Sequence, residues 1–184
     1  RRILLWRRWI GRRFDSRWSP YNHGNQPSLH IPWLFNFSGK PYLTQKWTRL
    51  ICDEFYGTDG EHGYGYGQDE DQGQLGSWYV LAAMGLFDVQ GGACSEPTYQ
   101  LGSPEFDEIT VHLSKFNTNG GTFRIRAKGN SADAMYVQNA TFNGKPLDRC
   151  WLYRDEVFNG GELVLQMGTE PSDVWNNSEP PVSE

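Results

Sequence analysis

The sequence predicts an α+β fold, with a helical part to about residue 90 followed by a small antiparallel β-sandwich. Three observations carry this. Apolar residues recur every three or four positions in segments before residue 90. After Phe87-Asp88-Val89 the pattern changes to short runs of period two. Those runs are separated by Asn119-Gly120, Asn143-Gly144 and Asn159-Gly160, dipeptides that favour hairpin turns.

The first helix is expected over Leu29 to Asn36, started by Pro27-Ser28, with Leu29, Trp33 and Phe37 spaced by four. Ser38-Gly39-Lys40-Pro41 breaks it. A second helix is expected from Gln45 to Tyr56, capped by Thr44, with Trp47, Leu50, Ile51 and Phe55 on one stripe. Gly57 stops it. A third runs from about Gln72 to Met84 and ends at Gly85. The expected strands are 98–101, 109–113, 122–127, 134–142, 149–153 and 163–167. The domain reading is an Arg-rich leader (1–13), the helical part (14–92), the β-sandwich (93–170) and a disordered tail (171–184) rich in Pro, Ser, Asn and Glu.

Composition excludes several classes. A net charge of −5 gives no electrostatic footprint for nucleic acid or an acidic membrane surface. No apolar run reaches the roughly 18 residues of a helical membrane span. Cys52, Cys94 and Cys150 are an odd number without close spacing, and read as free thiols rather than a disulfide or metal framework. Eight Trp suit both an aromatic core and a sugar-stacking cleft. The tripeptides at Asn36, Asn139 and Asn176 are glycosylation sequons, meaningful only in a secretory pathway.

The stretch Gly67-Gln68-Asp69-Glu70-Asp71-Gln72-Gly73-Gln74 puts three carboxylates before an apolar helix. Buried acids persist when paired, metal-bound or used in chemistry. In extended chain Asp69 and Asp71 share one face, and Glu70 points away. Paired carboxylates raise one another's pKa, so one can act as a base toward water. A solvated acidic turn favoured by the helix dipole is the competing reading. An EF-hand is rejected, because Gly73, Gln74 and Val80 fall where ligands or the turn glycine are needed. A second polar cluster comprises Asn25, Gln26 and His30. Its amide oxygens suit a hard cation such as Ca²⁺, although a turn Asn, a capping Gln and a packed histidine explain the same residues.

Here the motifs reach a family. Gly24-Asn25-Gln26-Pro27-Ser28-Leu29-His30-Ile31-Pro32-Trp33-Leu34-Phe35-Asn36-Phe37 resembles a segment of glycoside hydrolase family 92. So do Thr44-Gln45-Lys46, the Gly67–Gln74 stretch followed by Trp78-Tyr79-Val80, Gly102-Ser103-Pro104-Glu105-Phe106-Asp107, and Asn159-Gly160-Gly161-Glu162-Leu163 to Met167-Gly168. The resemblance covers roughly residues 14–174. It implies a calcium-dependent, inverting exo-α-mannosidase acting on mannose-containing glycans outside the cell or in the periplasm. It also implies that the helical part is the end of an (α/α)₆ barrel.

By the same resemblance the general base belongs to the Asp-x-Asp pair, with Asp71 as base and Asp69 orienting water. Asn25 and Gln26 fall at calcium ligands; Asn22, His23 and His30 fall at substrate-binding positions. Inversion needs carboxyls roughly 6.5–9.5 Å apart on opposite faces of the sugar, which one Asp-x-Asp step does not provide. The family's acid is a glutamate in a Glu-Gly-x-x-Trp-x-Tyr type segment, and none occurs here. The chain therefore reads as a C-terminal part that partners the remainder of the enzyme, inactive alone. Two departures stand out. Asn22-His23 replaces the His-Glu of many α-1,2-acting members, leaving linkage open, and Gln26 replaces a common Glu, reducing charge at the cation. A non-catalytic carbohydrate-binding module and a ligand-free structural domain are the other classes.

Overall fold

The computed structural model describes residues 21–57, 72–116 and 118–181. Two 3-10 segments open it, η1 (Gln26–Ser28) and η2 (Ile31–Ser38), then helices α1 (Pro41–Phe55) and α2 (Gln74–Ala83). The β part follows as β1 (Leu86–Phe87), β2 (Thr98–Leu101), β3 (Glu108–Leu113), β4 (Gly121–Lys128), β5 (Tyr136–Phe142), β6 (Lys145–Pro146) and β7 (Trp151–Tyr153). Helix α3 (Arg154–Phe158) and β8 (Gly161–Gly168) complete it.

The expected first α-helix is replaced by η1 and η2. Pro27 and Pro32 each lack an amide proton and crowd the preceding turn, so a continuous i→i−4 ladder cannot form through them. Helix α1 begins at Pro41, not after Thr44. Proline is tolerated at a first helical position because that N–H would be unpaired anyway. Thr44 is instead buried within the helix.

Strands β1, β2 and β7 form an antiparallel three-stranded sheet. The larger sheet has the order β3-β4-β8-β5-β6. Its inward residues alternate as the pleat requires: Phe123, Ile125 and Ala127 from β4 meet Leu163, Leu165 and Met167 from β8 in one core with Leu101, Trp151 and Leu152. The sheet is not wholly antiparallel, because β4 and β8 run parallel. Asn143-Gly144 is a tight hairpin, with both residues at positive φ between Phe142 and Lys145. Asn159-Gly160 is not a hairpin. Gly160, at φ 79°, ends α3 and turns the chain into β8. The same left-handed preference serves both purposes, so the dipeptide alone does not separate them.

The tail expected to be disordered is anchored to the β part by a buried residue. Trp175 is 1% exposed and donates its indole N–H to the Leu147 carbonyl at 3.0 Å. The Trp151 indole donates to the Glu179 carbonyl at 2.8 Å. A single large aromatic anchors an otherwise polar segment.

The helical and β parts share a polar seam. Val137, beside an irregularity in β5, donates its N–H to Gln45 Oε1 of α1 at 3.0 Å. Asn36 Nδ2 lies within 3.2 Å of Gln100 Oε1 and of the Leu101 and Cys150 carbonyls. Asn36 is 3% exposed, so its sequon is closed in this fold.

Candidate functional site

Residues 21–30 fold as consecutive tight turns. Asn25 donates its N–H to the Asn22 carbonyl, Ser28 to Asn25, and Leu29 to Gln26. Asn22 Oδ1 accepts the Gly24 N–H at 3.2 Å. These bonds leave the side chains of Asn22, Asn25 and Gln26 exposed, and His30 half-buried at the start of η2. Asn25 stands at the N-cap of η1 without using its side chain as a cap, so its amide oxygen is not spent on the turn.

His23 behaves differently. It is wholly buried among Tyr21, Phe55, Tyr56 and Trp78, with its ring centroid 4.4 Å from that of Trp78. Tyr21 Oη lies 2.7 Å from Nδ1 and Tyr56 Oη 2.8 Å from Nε2. Tyr56 spends its one hydroxyl proton on the Leu75 carbonyl at 3.0 Å. It therefore accepts from His23 Nε2–H, and Nδ1 accepts from Tyr21. Burial holds the imidazole neutral, with its pKa pushed down to about 3. The expectation that His23 binds substrate is corrected accordingly. Both ring nitrogens are engaged inside the protein, so His23 supports the turn rather than touching a sugar.

The turn is fastened to the first half of α2. Trp78 donates its indole N–H to the Leu29 carbonyl at 2.9 Å, and its ring stacks on Tyr56 at an interplanar angle of 7°. Gln72 (φ 60°) and Gly73 (φ 94°) lead the chain into α2. Asp69 and Asp71, the expected catalytic acids, lie outside the described residues, with Asp71 immediately before Gln72 in sequence. The expectation that they line one pocket with Asn25, Gln26 and His30 rests on those residues as well. Among the described residues no group of three or more His, Cys, Asp or Glu side chains gathers as for a metal ion. A cation at the turn would take amide oxygens there and carboxylates from elsewhere.

Two features escaped the sequence reading. An apolar groove of about 240 Å³ is lined by Tyr21, Ile31, Pro32, Phe35, Trp47 and Ile51. Where α1 and α2 meet the loop after β2, Arg49 Nη2 lies 2.5 Å from the Pro104 carbonyl, 2.5 Å from Asn130 Oδ1 and 3.3 Å from Ser103 Oγ. Tyr79 Oη donates to Glu105 Oε2 at 3.5 Å. Burial, then the neighbouring Asp53 carboxylate, raises the Glu105 pKa, against the pull of Arg49. Burial, then Glu105, raises the Cys52 thiol as well. The motif Gly102–Asp107 thus builds a junction. Gly102 passes under Trp33, where a Cβ would sit 2.9 Å from the ring. The available signal was an Arg in the buried part of an amphipathic helix, four residues before Asp53.

Comparison with known proteins decides the family. Residues 12–169 match the model of the glycosyl hydrolase family 92 catalytic domain. The chain belongs to glycosyl hydrolase family 92. A family GH92 alpha-mannosidase, BT3965 from Bacteroides thetaiotaomicron, superposes with a TM-score of 0.76 at 32% identity, covering 88% of this chain and 21% of that one. The inverting mannosidase BT2199 from Bacteroides thetaiotaomicron VPI-5482 gives 0.73 at 38% identity, covering 87% and 21%. A protein of Arthroderma benhamiae named as an uncharacterized secreted glycosidase is 31% identical over 164 residues, 86% of this chain and 20% of the relative. This GH92 chain therefore spans about a fifth of the length of these relatives. Among the described residues no helix is long and apolar enough to cross a membrane.

Proposed function

We propose that this family 92 chain forms the base side of an inverting, calcium-dependent exo-α-mannosidase that removes terminal mannose from glycans. One observation carries the reading: the turn bearing Asn25, Gln26 and His30 is bonded onto the opening turns of α2, the helix that Asp71 precedes. Asp71 is the general base and Asp69 orients the attacking water. Asn25 and Gln26 hold calcium through neutral amide oxygens, which suit a hard cation, and their exposure fits this role. Calcium, when bound, supplies a flexible cation of high coordination that grips sugar hydroxyls. His30 and Asn22 contact the sugar from the same turn.

The general acid stands on the remainder of the enzyme. That remainder also covers the apolar groove between η2 and α1, and completes an (α/α)₆ barrel beside a β-sandwich. The shared core of the two sheets supports the sandwich. An extracellular or periplasmic location follows the relative named as secreted.

The test is mannose release from an α-linked mannobiose by the longer enzyme, with product anomer read by proton NMR. Asp71→Asn is expected to lower kcat by about 10²–10⁴-fold, the usual share of a general base. Asn25→Ala is expected to raise the calcium concentration needed for half activity. The 184-residue chain alone is expected to release no mannose. Unchanged turnover in the Asp71 variant sinks the assignment.

A further inference from the structure

A second groove lies at the far end of the β part, away from the Asn25 turn. We infer that it is a carbohydrate-binding subsite for a neutral pyranose-containing oligosaccharide. Its volume is about 370 Å³, and Phe116, Thr118, Asn119, Asp155, Phe158 and Asn159 line it.

The described residues of the β3–β4 loop are bonded to one another. Ser114 Oγ accepts the Phe116 N–H at 3.2 Å, and its carbonyl accepts both the N–H and the hydroxyl of Thr118. Thr118 Oγ1 in turn accepts the Gly120 N–H at 3.0 Å. On this frame the Phe116 ring is 91% exposed, the most exposed large apolar side chain described. That exposure leaves the ring face available for stacking.

The chemistry beside it selects the ligand. Asn119 Nδ2 donates to Asn159 Oδ1 at 3.0 Å, tying the loop to the end of α3. That bond leaves the Asn119 carbonyl oxygen as an acceptor and one Asn159 N–H₂ as a donor, neither with another partner among the described residues. An adjacent donor and acceptor match neighbouring sugar hydroxyls, each of which does both. Asp155 adds an exposed carboxylate as a further acceptor, and the Arg154 guanidinium lies 5.7 Å from the Phe158 ring centroid, so the rim carries both signs. An aromatic face for the C–H side of a ring, with fixed amides for its rim, is the composition of a sugar site. Among the described residues the apolar groove near Tyr21 is lined by no Asn or Asp.

Affinity electrophoresis of the 184-residue chain through gels containing α-mannan, galactomannan, β-glucan or dextran tests this. Retardation by at least one polymer is expected. Phe116→Ala is expected to weaken it about tenfold, the value of one stacked ring. Asn159→Ala and Asp155→Asn should also weaken it, with near-ultraviolet circular dichroism unchanged. Overturning results are no retardation by any polymer, or retardation that survives Phe116→Ala and Asn159→Ala. Loss in Asn25→Ala alone would also overturn it, by moving the binding to the other site. A Phe116-dependent response to β-glucan but not to mannan supports the groove while counting against the mannosidase reading.

Discussion

Gln45 of helix α1 accepts the backbone N–H of Val137 in strand β5 at 3.0 Å, across 92 residues of chain. Both groups are buried, so a helix side chain completes a ladder that the sheet itself leaves open at its irregularity.

Removing that acceptor orphans a buried donor. Gln45→Ala is expected to destabilise the chain by about 1–3 kcal/mol. A lower urea midpoint with faster amide exchange at Val137 would bear this out, and an unchanged midpoint would not.

His23 sets an acid limit. Its folded pKa of about 3 lies below the ordinary 6.5, so below pH 6.5 the unfolded chain takes a proton that the folded chain refuses. Stability is full above pH 6.5 and is lost progressively as pH falls toward 3, by an amount on the order of several kcal/mol. Urea midpoints measured from pH 7.5 to 4 should fall steeply. His23→Gln should start lower and fall less, and parallel curves would count against the argument.

Glu105 works in the opposite direction. Burial first, and Asp53 second, hold its pKa above the usual carboxylate value. Its contribution is therefore favourable at low pH and is lost as pH rises from the ordinary value through the raised one. Glu105→Gln fixes the uncharged form, so its stability relative to the parent should increase across that window. A difference independent of pH would show that the carboxyl is already solvated.

Trp175 is the anchor of the C-terminal segment. Trp175→Ala should cost about 3–5 kcal/mol, as for other buried aromatics. Ending the chain at Gly168 should do the same or more. Thermal denaturation that ignores both changes would restore the disordered-tail expectation.

Most of the fold was legible because period and turn chemistry agree with it. Strand 98–101 was placed to the residue, and β3, β4, β5 and β8 to within a few. The errors have local causes. Prolines 27 and 32 favoured 3-10 turns over an α-helix, while Pro41 was read as a break although it starts one. Helix α3 is only five residues long, too short for a periodic signal. At the candidate site, type and order of residues named the family, yet did not tell a sugar-facing side chain from a supporting one. His23 is the example. Its role follows from Tyr21, Tyr56 and Leu75, and no pattern within two residues of it reveals the 33-residue separation to Tyr56.

Strand β8 stands at the centre of its sheet yet comes last of the described strands in sequence. On a ribosome, the β3–β4 and β5–β6 pairs emerge first and wait with open edges until residues 161–168 slide between them. Long-range closure of this kind is slow and leaves nascent chains sticky. A stop codon a few positions before Gly161 would therefore give inclusion bodies rather than a shortened soluble product.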